Sequence, residues 1–249
     1  MMVRSENEIK HGQMLAKEET ELLWGWGTPA GQQRARRRSK LISDGAKLGF
    51  EKKALEIGCG TGLFTEYFAQ TNVHITSVDI SSDLLQKAME RNLPKDQVQF
   101  LEMPFEKLEN KIFFDAVIGS SILHHLDIKP ALKKIYNLLK PGGYISFAEP
   151  NMMNPQVFAM FKFRKYFPEI SPDENAFLRW KLNKMLVEAG FEEIKIIPFD
   201  WLHPNIPECL IPFVSSLSRI FEKTPIVKEF AGSLYIGGRR PFKKQIGLI

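Results

Sequence analysis

Short apolar runs and amphipathic segments follow one another along most of the chain. Apolar runs rich in β-branched residues predict strands over Val73–Ile80, Val98–Glu102, Phe114–Ser120 and Gly143–Glu149. Apolar residues at helical spacing predict helices over Leu63–Gln70, Ser82–Arg91, Pro130–Leu139 and Ala176–Ala189. This alternation predicts an α/β fold in which helices cover both faces of a parallel sheet and ligands bind beyond the carboxyl ends of the strands.

A glycine-rich loop follows the first predicted strand, Ala54–Ile57. Gly58, Gly60 and Gly62 occupy every second position, where they allow backbone conformations closed to other residues and a close approach to a ligand. About twenty residues later the second strand ends in Asp79, the spacing at which an acid accepts the ribose hydroxyls of a nucleoside cofactor. An alternative role for Asp79 is to cap the next helix, although Ser81 and Ser82 suit that role equally well.

The glycine spacing distinguishes between two classes of cofactor. The dinucleotide fingerprint G-x-G-x-x-G requires Gly or Ala where this chain has Leu63, which disfavours NAD. The residues Glu56-Ile57-Gly58-Cys59-Gly60-Thr61-Gly62, followed by Val78-Asp79-Ile80-Ser81, instead resemble the class I (Rossmann-like) S-adenosylmethionine-dependent methyltransferases. That resemblance implies a doubly wound, seven-stranded, mostly parallel sheet, with a sixth strand at Glu193–Pro198 and an antiparallel seventh at Ser233–Gly237.

The resemblance also implies a set of cofactor contacts. Glu56 would hold the amino group of S-adenosylmethionine, the loop glycines would line its methionine and ribose, and Asp79 would accept the ribose hydroxyls. Many family members place an acid for the adenine amino group after strand three, where this chain has Pro104, so Met103 and Phe105 are expected to enclose adenine by apolar contact. The predicted cofactor-binding residues are Glu56, Gly58, Cys59, Gly60, Gly62, Asp79, Ile80, Met103, Pro104, Phe105, Gly119 and Ser120.

Two adjacent histidines, His124 and His125, follow strand four and are the candidate catalytic residues. An imidazole titrates near neutral pH and can act as a general base, or it can serve as a hydrogen-bonding prop. No metal is expected, because adjacent side chains rarely converge on one ion and no matching ligand cluster is evident. A base is optional, since holding an acceptor in line with an activated methyl group supplies about 7–11 kcal/mol by itself.

Segments outside the minimal fold are expected to select the acceptor. Residues 1–49 are predicted to form a helical cap that contributes to the site, and residues 50–249 the core, with insertions at 151–175 and 201–230. Aromatic residues in these segments suggest a lid over a hydrophobic pocket, or simply packing of the insertions. The candidate acceptor contacts are Trp26, Glu149, Phe161 and His203, with loop closure as the simpler role for Glu149.

Composition narrows the choice of acceptor. The net charge of +5 raises RNA or protein as an acceptor, but acids intersperse most basic residues and no RNA-binding module is evident. A small, hydrophobic or lipid-like molecule is therefore favoured, with RNA or protein methylation and non-catalytic cofactor binding as alternatives. No oligomeric state is assigned.

The sequence gives expectations about location as well. Two cysteines and the absence of a long apolar segment predict a cytoplasmic protein without export or membrane insertion. The segment Trp201–Phe221 is expected to be amphipathic and able to rest on a membrane surface.

Overall fold

A seven-stranded mixed sheet forms the centre of the protein in the computed structural model, which describes residues 2–109, 113–167 and 176–242. The order of the strands is β3-β2-β1-β4-β5-β7-β6, and only β7 runs antiparallel to its neighbours. The strands are β1 (Lys53–Ile57), β2 (His74–Asp79), β3 (Val98–Glu102), β4 (Phe114–Ser120), β5 (Leu139–Pro150), β6 (Glu192–Phe199) and β7 (Ser233–Arg239). The predicted fold class is confirmed.

Helices cover both faces of this sheet. Successive strand residues point to opposite faces, so Leu55 and Val117 belong to one apolar core and Ala54 and Ile118 to the other. The first core is completed by α6 and α8, and the second by α3 and α4. The α-helices of the described residues are α1 (Met2–Ala16), α2 (Thr20–Leu23), α3 (Pro29–Ala46), α4 (Leu63–Ala69), α5 (Ser82–Glu90), α6 (Ile128–Leu138), α7 (Pro155–Lys162), α8 (Arg179–Glu188) and α9 (Ile211–Phe221).

Some predicted boundaries need correction. The helix predicted over Ala176–Ala189 begins at Arg179, because Phe177 is extended and pairs with Asn151 in an isolated parallel bridge. Strand β5 begins at Leu139, four residues before the predicted start, since Leu139 already pairs with Phe114 of β4, and a shift in register separates this pair from Ala116 and Tyr144. The insertion predicted over 151–175 is described only to residue 167, and its last part lies outside the described residues.

The amino-terminal helices differ in what they contact. Helix α3 packs against β4, β5 and β7, and its residues Ala35, Arg38, Ile42 and Ala46 are buried. Helix α1 packs on α5, and α2 lies near the glycine loop, where Glu21 accepts a hydrogen bond from Thr61. The predicted division of the chain at residue 50 stays a prediction.

The strand order reverses between β1 and β4. At such a point the connecting segments leave the sheet in opposite directions and open a crevice beyond the carboxyl ends of the strands. The segments that follow β1, β2, β3, β4, β5 and β6 all emerge at this edge. The fold therefore places the glycine loop, Asp79, the two histidines and both predicted insertions around one crevice.

Candidate active site

The glycine loop after β1 adopts the left-handed conformation at all three glycines. The φ angles are 66° at Gly58, 52° at Gly60 and 75° at Gly62. A Cβ on Gly58 would lie 2.3 Å from Ile122, and one on Gly62 would lie 2.9 Å from Ala88 of α5. At Gly60 the nearest atom is the Trp24 ring at 3.2 Å. Gly58 and Gly60 line the cavity described below, whereas Gly62 allows close packing between the loop and α5.

Asp79 holds the glycine loop to the end of β2. Its Oδ2 accepts the Gly60 N–H at 2.7 Å, and its Oδ1 accepts the Ser81 N–H at 2.9 Å. Burial raises the pKa of Asp79 above its ordinary value, although these N–H donors act in the opposite direction. The helix-capping alternative is not what the contacts show, because the side chain of Ser81 accepts the Leu84 N–H and caps α5.

Glu56 lies behind the loop, at a buried position that does not line the cavity. Its Oε2 accepts hydrogen bonds from Thr65 at 2.6 Å and from Ser77 at 2.7 Å. Burial raises the pKa of Glu56 to about 7, against the effect of those two hydroxyls. These contacts indicate that Glu56 positions α4 and β2 beneath the loop, and its role in holding the cofactor amino group, directly or through water, stays a prediction.

The histidines after β4 have separate carboxylate partners. His124 is buried, and its Nδ1 lies 2.6 Å from Oε2 of Glu149, whose other oxygen accepts the Ile122 and Leu123 N–H groups. Burial raises the pKa of Glu149, but His124 and the two N–H groups lower it by a larger amount. The pKa of Glu149 therefore lies below its ordinary value. Glu149 is thus a buried residue that closes the loop, in agreement with its simpler predicted role and not with acceptor contact.

His125 reaches across the crevice to the amino-terminal helix. Its Nδ1 lies 2.8 Å from Oε2 of Glu8 on α1, with side-chain exposures of 21% and 15%. Both residues line the cavity. Because a carboxylate that contacts one ring nitrogen fixes the orientation of the imidazole, Glu8 holds His125 in a defined position at the cavity wall.

One large cavity lies over these elements. Its volume is about 1040 Å³, the upper end of the range typical of small-molecule sites, which is enough for a nucleoside cofactor and a second small molecule. The predicted residues that line it are Gly58, Cys59, Gly60, Asp79, Ile80, Met103, Pro104, Phe105, Ser120, His124, His125, Trp26, Phe161 and His203. Glu56, Gly62, Gly119 and Glu149 lie outside that lining, and their contacts with cofactor or acceptor stay predictions.

Comparison with known proteins identifies the family. A family model described as a methyltransferase domain matches residues 55–147, which includes the glycine loop, Asp79 and the segment with the two histidines. Residues 55–147 therefore form a methyltransferase domain, and this match supports the resemblance to the class I S-adenosylmethionine-dependent methyltransferases. S-adenosylmethionine is the cofactor of this family.

Curated relatives and solved structures show the range of the family. The chain is 28% identical over 178 residues to an S-adenosyl-L-methionine-dependent Diels-Alderase of Talaromyces variabilis. The aligned region covers 64% of this chain and 60% of that protein, which is less than two thirds of the length of the relative. It is 26% identical over 165 residues to a ubiquinone biosynthesis O-methyltransferase of Aliivibrio fischeri, with 63% and 70% covered. The structure of the N-methyltransferase NodS from Bradyrhizobium japonicum with S-adenosyl-L-homocysteine has a TM-score of 0.64 at 16% identity, covering 94% of this chain and 99% of NodS. At this identity the likeness to NodS shows the fold.

The site of this methyltransferase domain contains an arginine that the sequence analysis did not single out. Arg38 on α3 is 2% exposed and lines the cavity. It donates to Ser233 Oγ at 3.1 Å, Ser121 Oγ at 3.1 Å and the Ala148 carbonyl at 2.6 Å, while its buried Nε has no hydrogen-bond partner among the described residues. Burial lowers the pKa of Arg38 to about 10, so the guanidinium stays charged at neutral pH.

Aromatic and polar side chains from segments outside the glycine loop also line the cavity. Trp26 lies beside the guanidinium groups of Arg34 and Arg38, at 5.0 and 5.5 Å from its ring centroid, and Arg34 pairs with Asp200 at 2.8 Å. Phe161 packs edge-on against the ring of His124. Desolvation by burial, followed by the charge of Arg34, lowers the pKa of His203.

His203 is oriented by its own loop. Its Nδ1 accepts the Asn205 N–H at 3.1 Å, and its Nε2 lies 2.9 Å from Nε2 of Gln156. Among the described residues, no group of three or more His, Cys, Asp or Glu side chains is arranged to hold a metal ion.

The raised pKa of Glu56 gives a prediction about stability. Because the folded-state pKa of about 7 exceeds the ordinary value of 4.5, ionisation of Glu56 opposes folding, and stability falls as pH rises through this interval. The side chain in Glu56→Gln cannot ionise, so the variant does not lose this stability as pH rises. The difference in free energy of unfolding, variant minus wild type, is expected to increase by about 3 kcal/mol from pH ~4.5 to pH ~8. Urea unfolding at both pH values measures the change.

The exposed Glu90 on α5 provides the control for that measurement. Glu90→Gln is expected to change stability equally at both pH values. A Glu56→Gln variant whose stability relative to wild type does not improve at higher pH would contradict the raised pKa.

Proposed function

We propose that this protein transfers a methyl group from S-adenosylmethionine to a small, hydrophobic or lipid-like acceptor by in-line displacement. The observation that carries the proposal is the continuity of one cavity, which is lined both by the glycine loop with Asp79 and by the aromatic residues Trp26 and Phe161. A site of this volume and lining suits two molecules held together, one a nucleoside and the other largely apolar. RNA, with its extended charged backbone, fits such a lining less well.

The residues of the loop fit the cofactor of the family. Gly60 leaves room for a ligand beside bare backbone, and Asp79 places a carboxylate where the ribose hydroxyls would bind. We further propose that Arg38 binds the carboxylate of the methionine part, since a buried guanidinium with an unpartnered Nε suits an anion. S-adenosylmethionine supplies, when bound, a methyl group already activated by its sulfonium centre, and S-adenosylhomocysteine is the product.

Holding the acceptor and excluding water are the main tasks left to the protein. The aromatic insertion residues cover the cavity and present an apolar wall, which favours a near in-line position of the acceptor atom. Where the acceptor atom is a hydroxyl or an amine, its proton must leave as the new bond to carbon forms and the bond to sulfur breaks. We propose His125, oriented by Glu8, as the residue that accepts this proton, and His124, held by Glu149, as a loop-positioning residue.

The proposal is tested by filling the acceptor half of the cavity. Val157 of α7 lines the cavity, and Val157→Trp is expected to reduce methyl incorporation from labelled S-adenosylmethionine at least about 20-fold while calorimetric binding of S-adenosylhomocysteine changes less than about threefold. The acceptors are a panel of apolar phenols, hydroxy acids and amines. The neighbouring Phe158 is 50% exposed, and Phe158→Trp is the matched control expected to leave both measurements unchanged.

Three outcomes would contradict the proposal. Absence of methyl incorporation into every apolar acceptor, together with incorporation into RNA or protein, would establish the alternative acceptor class. Conversion of a substrate without formation of S-adenosylhomocysteine would favour cyclisation, a candidate supported by the 28% identity to a protein named as a Diels-Alderase. Cofactor binding without any turnover would indicate a non-catalytic binding protein.

We also propose a cytoplasmic location. Cys59 and Cys209 are both free thiols, which fits a reducing compartment. Within the described part of the chain, no helix has both the length and the apolar character needed to span a bilayer.

A further inference from the structure

Helix α9 carries apolar residues on the side that faces solvent. On its inner side Ile211 packs with Ala30 of α3 and Leu202. On its outer side the residues at spacings of three and four are again apolar, and Phe213 and Ile220 are 68% and 60% exposed. A surface helix normally has polar residues opposite its buried face. The outer stripe of α9 consists of Leu210, Phe213, Leu217 and Ile220.

The other insertion combines exposed aromatic rings with positive charge. Phe158, Phe163 and Tyr166 of α7 and the turn that follows are 50%, 49% and 69% exposed. The segment Pro155–Tyr166 contains three basic residues and no acid. Lys162 Nζ lies 5.7 Å from the ring centroids of both Phe158 and Phe163, and Lys165 Nζ lies 4.8 Å from that of Tyr166.

Hydrogen bonds join the two insertions beside the cavity. Asn154, the N-cap of α7, donates to the carbonyl of Phe230 at 2.8 Å, and Gln156 lies 2.9 Å from His203. Exposed apolar side chains continue near this junction, at Phe230 and at Ile226, which is 77% exposed. The inner side of each insertion lines the cavity, through Phe161 in one and Leu202 in the other.

We propose that the segment Pro155–Tyr166 and the outer stripe of α9 bind the surface of an anionic lipid bilayer. Apolar and aromatic side chains beside lysine and arginine suit the boundary between acyl chains and anionic headgroups, where long basic side chains extend toward phosphate. The basic charge of Pro155–Tyr166 favours an anionic bilayer over a second copy of this protein as the partner. Two copies of the same basic segment would repel each other. The inner side of each insertion lines the cavity, so a bilayer bound at this surface would lie beside the proposed acceptor site. A bilayer that supplies the acceptor is a proposal that rests on the proposed function.

Vesicle co-sedimentation of the full chain tests the proposal. Wild type is expected to sediment with phosphatidylcholine vesicles that contain about 30% phosphatidylglycerol, at least about tenfold more than with pure phosphatidylcholine, since each basic residue near an anionic surface is worth about 1 kcal/mol. Phe213→Ser with Ile220→Ser, and separately Lys162→Glu with Lys165→Glu, are each expected to lower binding at least about tenfold. Absence of sedimentation with both vesicle types would overturn the proposal.

Phe50 supplies the matched control. It is 75% exposed and precedes β1, at the opposite end of the sheet, so Phe50→Ser is expected to leave vesicle binding unchanged. Equal loss of binding in Phe50→Ser would overturn the assignment of the surface. Light scattering after size exclusion adds a second readout: a dimer that Phe213→Ser with Ile220→Ser dissociates would show that a second copy occupies the surface.

Binding of S-adenosylhomocysteine is measured on the same variants and is expected to be unchanged. In these variants, loss of vesicle binding with unchanged affinity for S-adenosylhomocysteine supports the lipid surface. A wild-type chain that binds S-adenosylhomocysteine but neither vesicle type refutes the lipid surface alone. Retained vesicle binding by a chain without affinity for S-adenosylhomocysteine refutes the proposed function alone.

Discussion

Replacement of Asp79 by Asn is expected to lower the affinity for S-adenosylhomocysteine at least about 100-fold. The carboxylate accepts the Gly60 and Ser81 N–H groups and is proposed to accept the ribose hydroxyls as well. Hydrogen bonds that involve a charged group contribute about 1.5–3 kcal/mol each, so the loss of two such bonds to the ligand predicts a change of this size. An amide presents one acceptor oxygen and two N–H donors, and one of these donors would face a donor of the loop.

Calorimetric titration with S-adenosylhomocysteine measures the effect on Asp79→Asn. The matched control is Asp83→Asn, which removes an exposed acid from the first turn of α5, four residues further along the chain. Thermal unfolding of both variants separates a change at the site from a change in the fold. If Asp79→Asn binds S-adenosylhomocysteine within about threefold of wild type, Asp79 has only a structural role in the loop, and ribose recognition must be sought elsewhere.

The parts of the fold that local patterns specify could be predicted from sequence. The first five strands and the helices between them bury continuous apolar runs or regular stripes, and these are visible without any knowledge of tertiary contacts. The glycine loop and Asp79 were predictable for the same reason, because the chemistry of the site lies within one βαβ unit. The ends of β5 and α8 were less accurately predicted, since pairing between distant residues such as Asn151 and Phe177 decides where regular structure begins.

Side chains that meet from distant segments could not be assigned. The sequence places Glu8 and His125 far apart, and only the packing of α1 over the crevice brings them to 2.8 Å. Glu149 was named as an acceptor contact because it ends β5 at the correct edge of the sheet. Its orientation toward His124 and two backbone N–H groups depends on how the loop after β4 folds.

The burial of Arg38 is indicated by the helical periodicity of the sequence around it. The basic run Arg34–Arg38 lies within residues 1–49, the predicted helical cap, where Ala35, Arg38, Ile42 and Ala46 recur at the spacing of one helical face, and all four are buried. A charged residue within an apolar stripe of this kind indicates a buried and partnered side chain. Helical periodicity could therefore have separated Arg38 from its exposed neighbour Arg36.

Replacement of Arg38 by Met is expected to reduce both stability and cofactor affinity. Its guanidinium joins the ends of β4, β5 and β7 through Ser121, the Ala148 carbonyl and Ser233, and Met would leave the buried carbonyl without this donor. Loss of these contacts predicts a fall of about 3 kcal/mol in the free energy of unfolding. If Arg38 also binds the carboxylate of the methionine part, affinity for S-adenosylhomocysteine falls about 10- to 100-fold.

Arg38→Lys distinguishes the two contributions, because lysine keeps the positive charge but lacks the Nε and the planar fork of arginine. Stability is measured by urea unfolding and affinity by calorimetry, with the exposed Arg36→Met as the matched control for both. Direct contact with the cofactor would be supported by a lysine variant whose free energy of unfolding lies within about 1 kcal/mol of wild type, but which binds S-adenosylhomocysteine at least about tenfold more weakly. A variant that loses stability and keeps its affinity would instead assign Arg38 to holding the strand ends together, and the cofactor carboxylate would need a different partner.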